Sequence, residues 1–152
     1  MKKEDKIMRL LVKKLNENAV IPQRQTPYSA GYDLCSAEDI KAPAGKTAKI
    51  HTGISVEVEG TKDVCLFIYA RSSLATKFGL APANCVGVVD WDYRGEIIVA
   101  LHNHSDEDYE IKAGDRIAQL VITNVLTPET QEVDELSETV RGEGGFGSTG
   151  KN

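Results

Sequence analysis

Three observations predict an all-β fold. Between Lys46 and Glu59, apolar and polar residues alternate with the period of two that a half-buried strand requires. Three further runs, Val64 to Tyr69, Glu96 to Leu101 and Arg116 to Thr123, are short, rich in β-branched residues and bounded by turn formers. Turn signals recur at Ala42-Pro43-Ala44-Gly45, Glu59-Gly60, Gly79 to Pro82, Arg94-Gly95 and Ala113-Gly114-Asp115, so little length remains for helices.

In chain order, the alternation places Ala48, Ile50, Thr52, Ile54, Val56 and Val58 on one side of a single strand and Lys49, His51, Ser55 and Glu57 on the other. Leu74 to Phe78 has room for one helical turn or two. The segment Gly87 to Glu96 joins the apolar runs Cys85 to Val89 and Ile97 to Leu101, which predicts the tip of a hairpin. Near the end, Val133, Leu136 and Val140 fit a weak helical face.

The 152 residues are the length of one domain. With 41% hydrophobic and 27% charged residues the chain is an ordinary globular one, neither fibrous nor disordered. Eighteen basic against twenty-three acidic residues leave a net charge of −5, which disfavours nonspecific grip on a nucleic-acid backbone. An anionic partner must then be held by a local cluster of donors. Cys35, Cys65 and Cys85 have no C-x-x-C spacing and read as buried thiols of a reducing compartment. The charged start, Met1 to Lys6, and the basic residues that interrupt the next apolar run give no signal peptide and no membrane span. The expectation is an intracellular protein, cytoplasmic or nuclear.

Five of the thirteen glycines crowd into Gly142 to Gly150. The tail formally contains G-x-G-x-x-G at Gly142, Gly144 and Gly147, and nearly spells a phosphate loop ending in Lys151-Asn152, yet no helix follows either motif. What remains is a backbone able to wrap an anion, with Arg141, Ser148 and Thr149 as added donors, or else a solvated terminus. Residues 141–152 are expected to form an arm separate from a domain over 1–140. Because glycines flank Phe146, that arm is expected to order only over a filled site.

Four other groups carry chemistry. Arg71, Ser72 and Ser73 follow a strand end, where a guanidinium, two hydroxyls and backbone N–H groups suit a phosphate; a surface arginine with capping hydroxyls is the alternative. Asp90 and Asp92 fit a metal pair, a general base with a charged neighbour, or turn residues, and Asp90 between Val89 and Trp91 is the better candidate for a partly desolvated base. His102 and His104 share one strand face, as a metal pair without a third ligand or as a strand end. Asp33, in a mixed apolar run, is either structural or metal-facing. Asp106, Glu107 and Asp108 read as a solvated loop.

In order, AGYDLCSAED from Ala30, ARSSLA from Ala70, GVVDWDYRGEI from Gly87, GDRIAQL from Gly114 and RGEGGFGSTG from Arg141 resemble the five motifs of the trimeric dUTPases. The resemblance runs from about Ala30 to Gly150. It implies a jelly-roll-like β-barrel, a homotrimer whose active sites are shared between chains, a C-terminal arm closing over a neighbour's site, Mg2+ on the substrate phosphates, and cleavage of dUTP to dUMP and pyrophosphate. Such an enzyme keeps uracil out of DNA and supplies the thymidylate precursor.

Residue by residue, the resemblance makes Asp90 the base that activates water and Tyr93 the platform under the deoxyribose. It assigns uracil recognition to Asn84, to the backbone of Gly87, Val88 and Val89, and to Ile98. Phosphate contacts fall to Arg71, Ser72, Ser73 and Gln119, with Arg141 on the γ-phosphate. Phe146 is the lid over the base, Gly147, Ser148 and Thr149 add substrate contacts, and Asp33 supports magnesium through water. Two positions depart from the pattern: Ser73 stands where many members have glycine, and Trp91 occupies a variable place. The serine pair also resembles the related dCTP deaminases, which lack the arm; neither departure touches the implied chemistry.

Overall fold

The computed structural model describes residues 7–145. Eleven strands and one helix follow one another: β1 (Arg9–Lys14), β2 (Gly31–Cys35), β3 (Ile40–Ala42), β4 (Thr47–His51), β5 (Ile54–Glu59), β6 (Val64–Ala70), α1 (Ser72–Phe78), β7 (Leu80–Pro82), β8 (Gly87–Val89), β9 (Ile98–Asn103), β10 (Tyr109–Ile111) and β11 (Arg116–Asn124). All pairings are antiparallel, in a four-stranded sheet β2-β11-β6-β8, a three-stranded sheet β4-β9-β7, and the pairs β1-β5 and β10-β3. Few neighbours in a sheet are neighbours in sequence, so most of the fold is built from long-range contacts, and one apolar cluster from Leu34, Ile50, Leu66, Leu101, Leu120 and others fills the interior.

The all-β expectation holds, and the short helix lies where the sequence left room for it. α1 stops at Gly79, whose left-handed φ of 68° lets its N–H reach back to the Leu74 carbonyl.

The alternating stretch 46–59 is two strands in different sheets. The chain turns at Thr52-Gly53, where Gly53 has φ +67° and a Cβ would meet Asn16 at 2.6 Å and Ala19 at 2.9 Å. Ile50, Thr52, Ile54, Val56 and Val58 nevertheless all stay buried. Alternation records which side faces the core, whereas the ladder partner is set by residues far away.

The segment after Val89 also departs from expectation. β8 pairs with β6, whereas β9 pairs with β4 and β7, so the chain crosses between sheets there and the two apolar runs form no ladder with each other. Ile97 donates its N–H to the Ile54 carbonyl at 2.9 Å, which draws the second run away from the first. Residues 125–145 contain no helix or strand. Val133, Leu136 and Val140 are exposed, and with no apolar surface to cover, so short a helix has little to hold it. Cys35 and Cys65 are buried as expected, but Cys85 is exposed, because it occupies a turn at φ 62° that directs it outward.

Candidate active site

Two clusters of functional side chains lie along β6. The first gathers where β2, β11 and the end of β6 meet. Arg71 leaves β6 in an extended conformation and precedes α1 without a side-chain capping bond, and Ser72 and Ser73 stand exposed in the first helical turn. The hydroxyls therefore do not cap the helix. Asp33 fixes the arginine: one carboxylate oxygen accepts from Arg71 Nε at 3.1 Å, the other from Arg116 at 3.2 Å and Gln25 at 2.8 Å. Arg71 also donates to the Arg116 carbonyl at 3.3 Å. Gln119, opposite Asp33 in the β2–β11 register, donates to the Ala70 carbonyl at 2.9 Å. A cavity of about 320 Å³ opens between Gln25, Ser29, Gly31, Asp33, Arg71, Ser72 and Gln119.

The electrostatics suit an anion, because the single carboxylate lining this cavity is already committed to two guanidinium groups, so the cations are held in place without being covered. Nearby, burial and then the Asp33 charge push the Cys35 thiol above its ordinary range, leaving it a neutral neighbour. Gln25 carries no sequence signal for this role, because it lies in an irregular stretch, and Arg116, although inside the GDRIAQL motif, has no role assigned from the sequence.

The second cluster surrounds a cavity of about 230 Å³ lined by Ile68, Val88, Val89, Asp90, Tyr93, Glu96, Ile97 and Ile98. β8 is the edge of its sheet and has no ladder partner on its outer side among the described strands, so backbone N–H and C=O groups of Gly87 to Val89 remain available there. Tyr93 closes a turn, its N–H donating to the Asp90 carbonyl at 3.1 Å, and its hydroxyl donates to the Glu96 carbonyl at 3.2 Å. Its ring covers Gly95 so closely that no Cβ would fit. The Glu96 carboxylate accepts from the Gly53 N–H at 2.8 Å and bonds His51 Nδ1 at 2.9 Å, tying this turn to the β4–β5 bend; sequence reasoning passed over it.

Asp90 is exposed in the single chain, where its apolar neighbours Val89 and Trp91 turn inward against the core. Asn84 lies in the turn before β8 and is not among the residues lining this cavity. Arg141 is exposed and donates to the Gly144 carbonyl at 2.9 Å. Phe146, Gly147, Ser148 and Thr149 lie outside the described residues.

The two clusters do not meet within one chain. Val89 pairs with Leu66, which puts Asp90 level with Cys65, six residues before Arg71, so Asp90 and Arg71 sit at opposite ends of β6, roughly 20 Å apart at 3.3 Å per residue.

His102 bonds Thr47 across the β4–β9 ladder at 3.0 Å, and its ring meets His104 edge-on at 4.4 Å, as a strand-end pair. Among the described residues no three His, Cys, Asp or Glu side chains converge on a metal position. A magnesium ion bound chiefly by substrate phosphates and water needs no such cage. The Asp33 oxygen facing Arg71 retains a lone pair for a metal-bound water, so the residues fit indirect support and not direct ligation.

The dUTPase family model matches residues 17–150. The chain is 56% identical to a deoxyuridine 5'-triphosphate nucleotidohydrolase of Arabidopsis thaliana over 91% of this chain and 81% of that protein. It is 51% identical to one of Nautilia profundicola, over 95% and 100% respectively. Among solved structures, the dUTPase of Staphylococcus bacteriophage 80alpha with dUpNHpp superposes with a TM-score of 0.85 at 31% identity, covering 94% of this chain and 99% of that one. A mutant dUTPase of phage phi11 of S. aureus, in which a structural Mg(II) ion is coordinated, does so with a TM-score of 0.78 at 27% identity, over 86% and 99%. Agreement in motif order, in length and in backbone course leaves one assignment: the chain belongs to the dUTPase family and is a hydrolase of deoxyuridine triphosphate.

Proposed function

We propose that the chain cleaves dUTP to dUMP and pyrophosphate in sites assembled between the subunits of a homotrimer, with a water activated by Asp90 attacking the α-phosphorus. The observation that carries this reading is the placement of Asp90 and Arg71 at opposite ends of β6. A base must stand within hydrogen-bond reach of its water, so the nucleotide held by one chain's Arg71 meets another chain's Asp90.

Uracil enters the cavity at the β8 edge, where an unpaired N–H meets O4 and a carbonyl meets N3–H. Cytosine presents the reverse pattern, and each mismatched buried group costs about 1–3 kcal/mol. Val88, Val89 and Ile98 supply the walls, with Gly87 allowing close packing on Ile68, and Asn84, in the turn before β8, adds a polar group toward the base. The half-exposed ring of Tyr93 forms the platform under the sugar, with no room for a 2′-hydroxyl.

The phosphates lie against Arg71, Ser72, Ser73 and Gln119, with Asp33 holding the guanidinium, from where it would support a magnesium ion through water. Magnesium, when bound, neutralises charge on the phosphates. Arg141 clamps the γ-phosphate, Phe146 covers the base, and Gly147, Ser148 and Thr149 complete the phosphate cradle. The dUMP released serves thymidylate synthesis, and removal of dUTP keeps uracil out of DNA.

Mixing two inactive variants tests the shared site. Asp90→Asn and Arg71→Ala subunits, unfolded together and reassembled, are expected to regain up to ~25% of wild-type turnover, the chance that two neighbouring subunits supply both intact residues. No recovery in reassembled mixed trimers sinks the reading.

A further inference from the structure

The turn that carries Asp90 and Tyr93 is tied down by the residue between them. Trp91 packs against the core, and its indole N–H donates to the Val58 carbonyl of β5 at 3.1 Å. β5 belongs to a different sheet from β8, so this bond fastens the turn to a second part of the barrel. Two cations cover the ring, with Lys62 Nζ 5.2 Å and the Arg94 guanidinium 5.5 Å from its centroid. Arg94 closes the turn as well: it donates to the Trp91 carbonyl at 2.6 Å and the Tyr93 carbonyl at 3.1 Å, and pairs with Glu57 of β5 at 3.6 Å.

By contrast, the side chains of Asp90, Asp92 and Tyr93 are exposed, and besides the Arg94 bonds and the Tyr93 hydroxyl bond to Glu96 a single backbone bond closes the turn. A surface turn with so few contacts of its own opens easily. A base and a platform that must keep one distance from a nucleotide held by another chain need a rigid mount. Position 91 supplies it through an aromatic body packed against the core and a polar tip on β5.

We infer that Trp91 is a positioning residue for the hydrolysis, fixing the Asp90–Tyr93 turn on β5 before substrate arrives. The inference rests on the reading of Asp90 as the base. Trp91→Phe keeps an aromatic face for Lys62 and Arg94 but offers Val58 no donor. Expected is a fall in kcat of roughly three- to tenfold, the rate equivalent of one ordinary hydrogen bond, with KM changed less than about twofold and cooperative unfolding retained.

Wild-type kcat in folded Trp91→Phe, or a change in KM alone, overturns the inference when Asp90→Asn is inactive. Full turnover in Asp90→Asn overturns the reading of the base instead, and the inference with it, so the two failures are told apart. Because Trp91 is the single tryptophan, wild-type protein gives a second measurement, time-resolved fluorescence anisotropy with and without a non-hydrolysable dUTP analogue. A pinned turn shows the same small fast component in both states. A fast component that disappears only with the analogue shows a turn ordered by substrate and overturns the inference.

Discussion

Gly31 lies directly beneath the Gln119 side chain. A Cβ at position 31 would stand 2.5 Å from Gln119 Oε1 and 3.1 Å from its Cβ, at the place where the amide reaches across to Ala70. The glycine thus belongs to the phosphate side of the site through what it omits.

Gly31→Ala therefore pushes Gln119 out of line with Ala70 and Arg71. Because one hydrogen-bonding group is misplaced, KM for dUTP is expected to rise roughly three- to tenfold, with kcat less affected. Steady-state kinetics beside Gln119→Ala check it, and an unchanged KM in both variants removes Gln119 from the binding set.

Asp90→Asn removes the base while keeping shape and exposure. Turnover is expected to fall by about 10²–10⁴-fold, the usual contribution of a positioned general base. Affinity for a non-hydrolysable analogue, measured by calorimetry, is expected to stay near the wild-type value.

Asp33→Asn leaves Arg71 and Arg116 without their shared counter-charge. The carboxylate is largely covered, so the loss in stability is expected at about 1–2 kcal/mol, below that of a fully buried pair because both arginines reach solvent. kcat/KM is expected to drop by more than ten times, since a loosened guanidinium no longer meets the phosphate in one geometry. Chemical denaturation and kinetics on the same preparation separate the two effects.

His51 is held above its ordinary value of 6.5 chiefly by its hydrogen bond to Glu96. A raised pKa in the folded chain means that the protonated pair stabilises fully below about 6.5 and that this contribution is lost as pH climbs through the folded value. The melting temperature of wild type minus that of His51→Gln is thus expected to shrink from pH 6 towards pH 8. A constant difference across that interval contradicts the ion pair.

How much of this was legible in the sequence depended on the range of the interaction. The runs 64–69 and 116–123 were recognisable as strands because β-branched content and bounding turns are local, and α1 because breakers on both sides confined it. The break at Gly53 and the divergence of β8 from β9 were hidden, since periodicity marks a face and gives no partner. Position 90 was expected to be partly desolvated from its apolar neighbours; in the single chain Val89 and Trp91 pack against the core and the aspartate faces outward, so any cover comes from beyond the chain. The grouping of Asp33 with Arg71, Arg116 and Gln25 depends on three strands meeting from distant parts of the chain. Glu96 was overlooked because its partners, Gly53 and His51, lie more than forty positions earlier.

The length of β6 has a further consequence for the reading of a shared site. When each polypeptide lends its aspartate to one nucleotide and its arginine to another, a copy that lacks one of the two residues spoils one centre and still serves the other, whereas a copy too damaged to lend either spoils two. For such a shared site, specific activity is a function of dilution and falls below the concentration that sustains assembly.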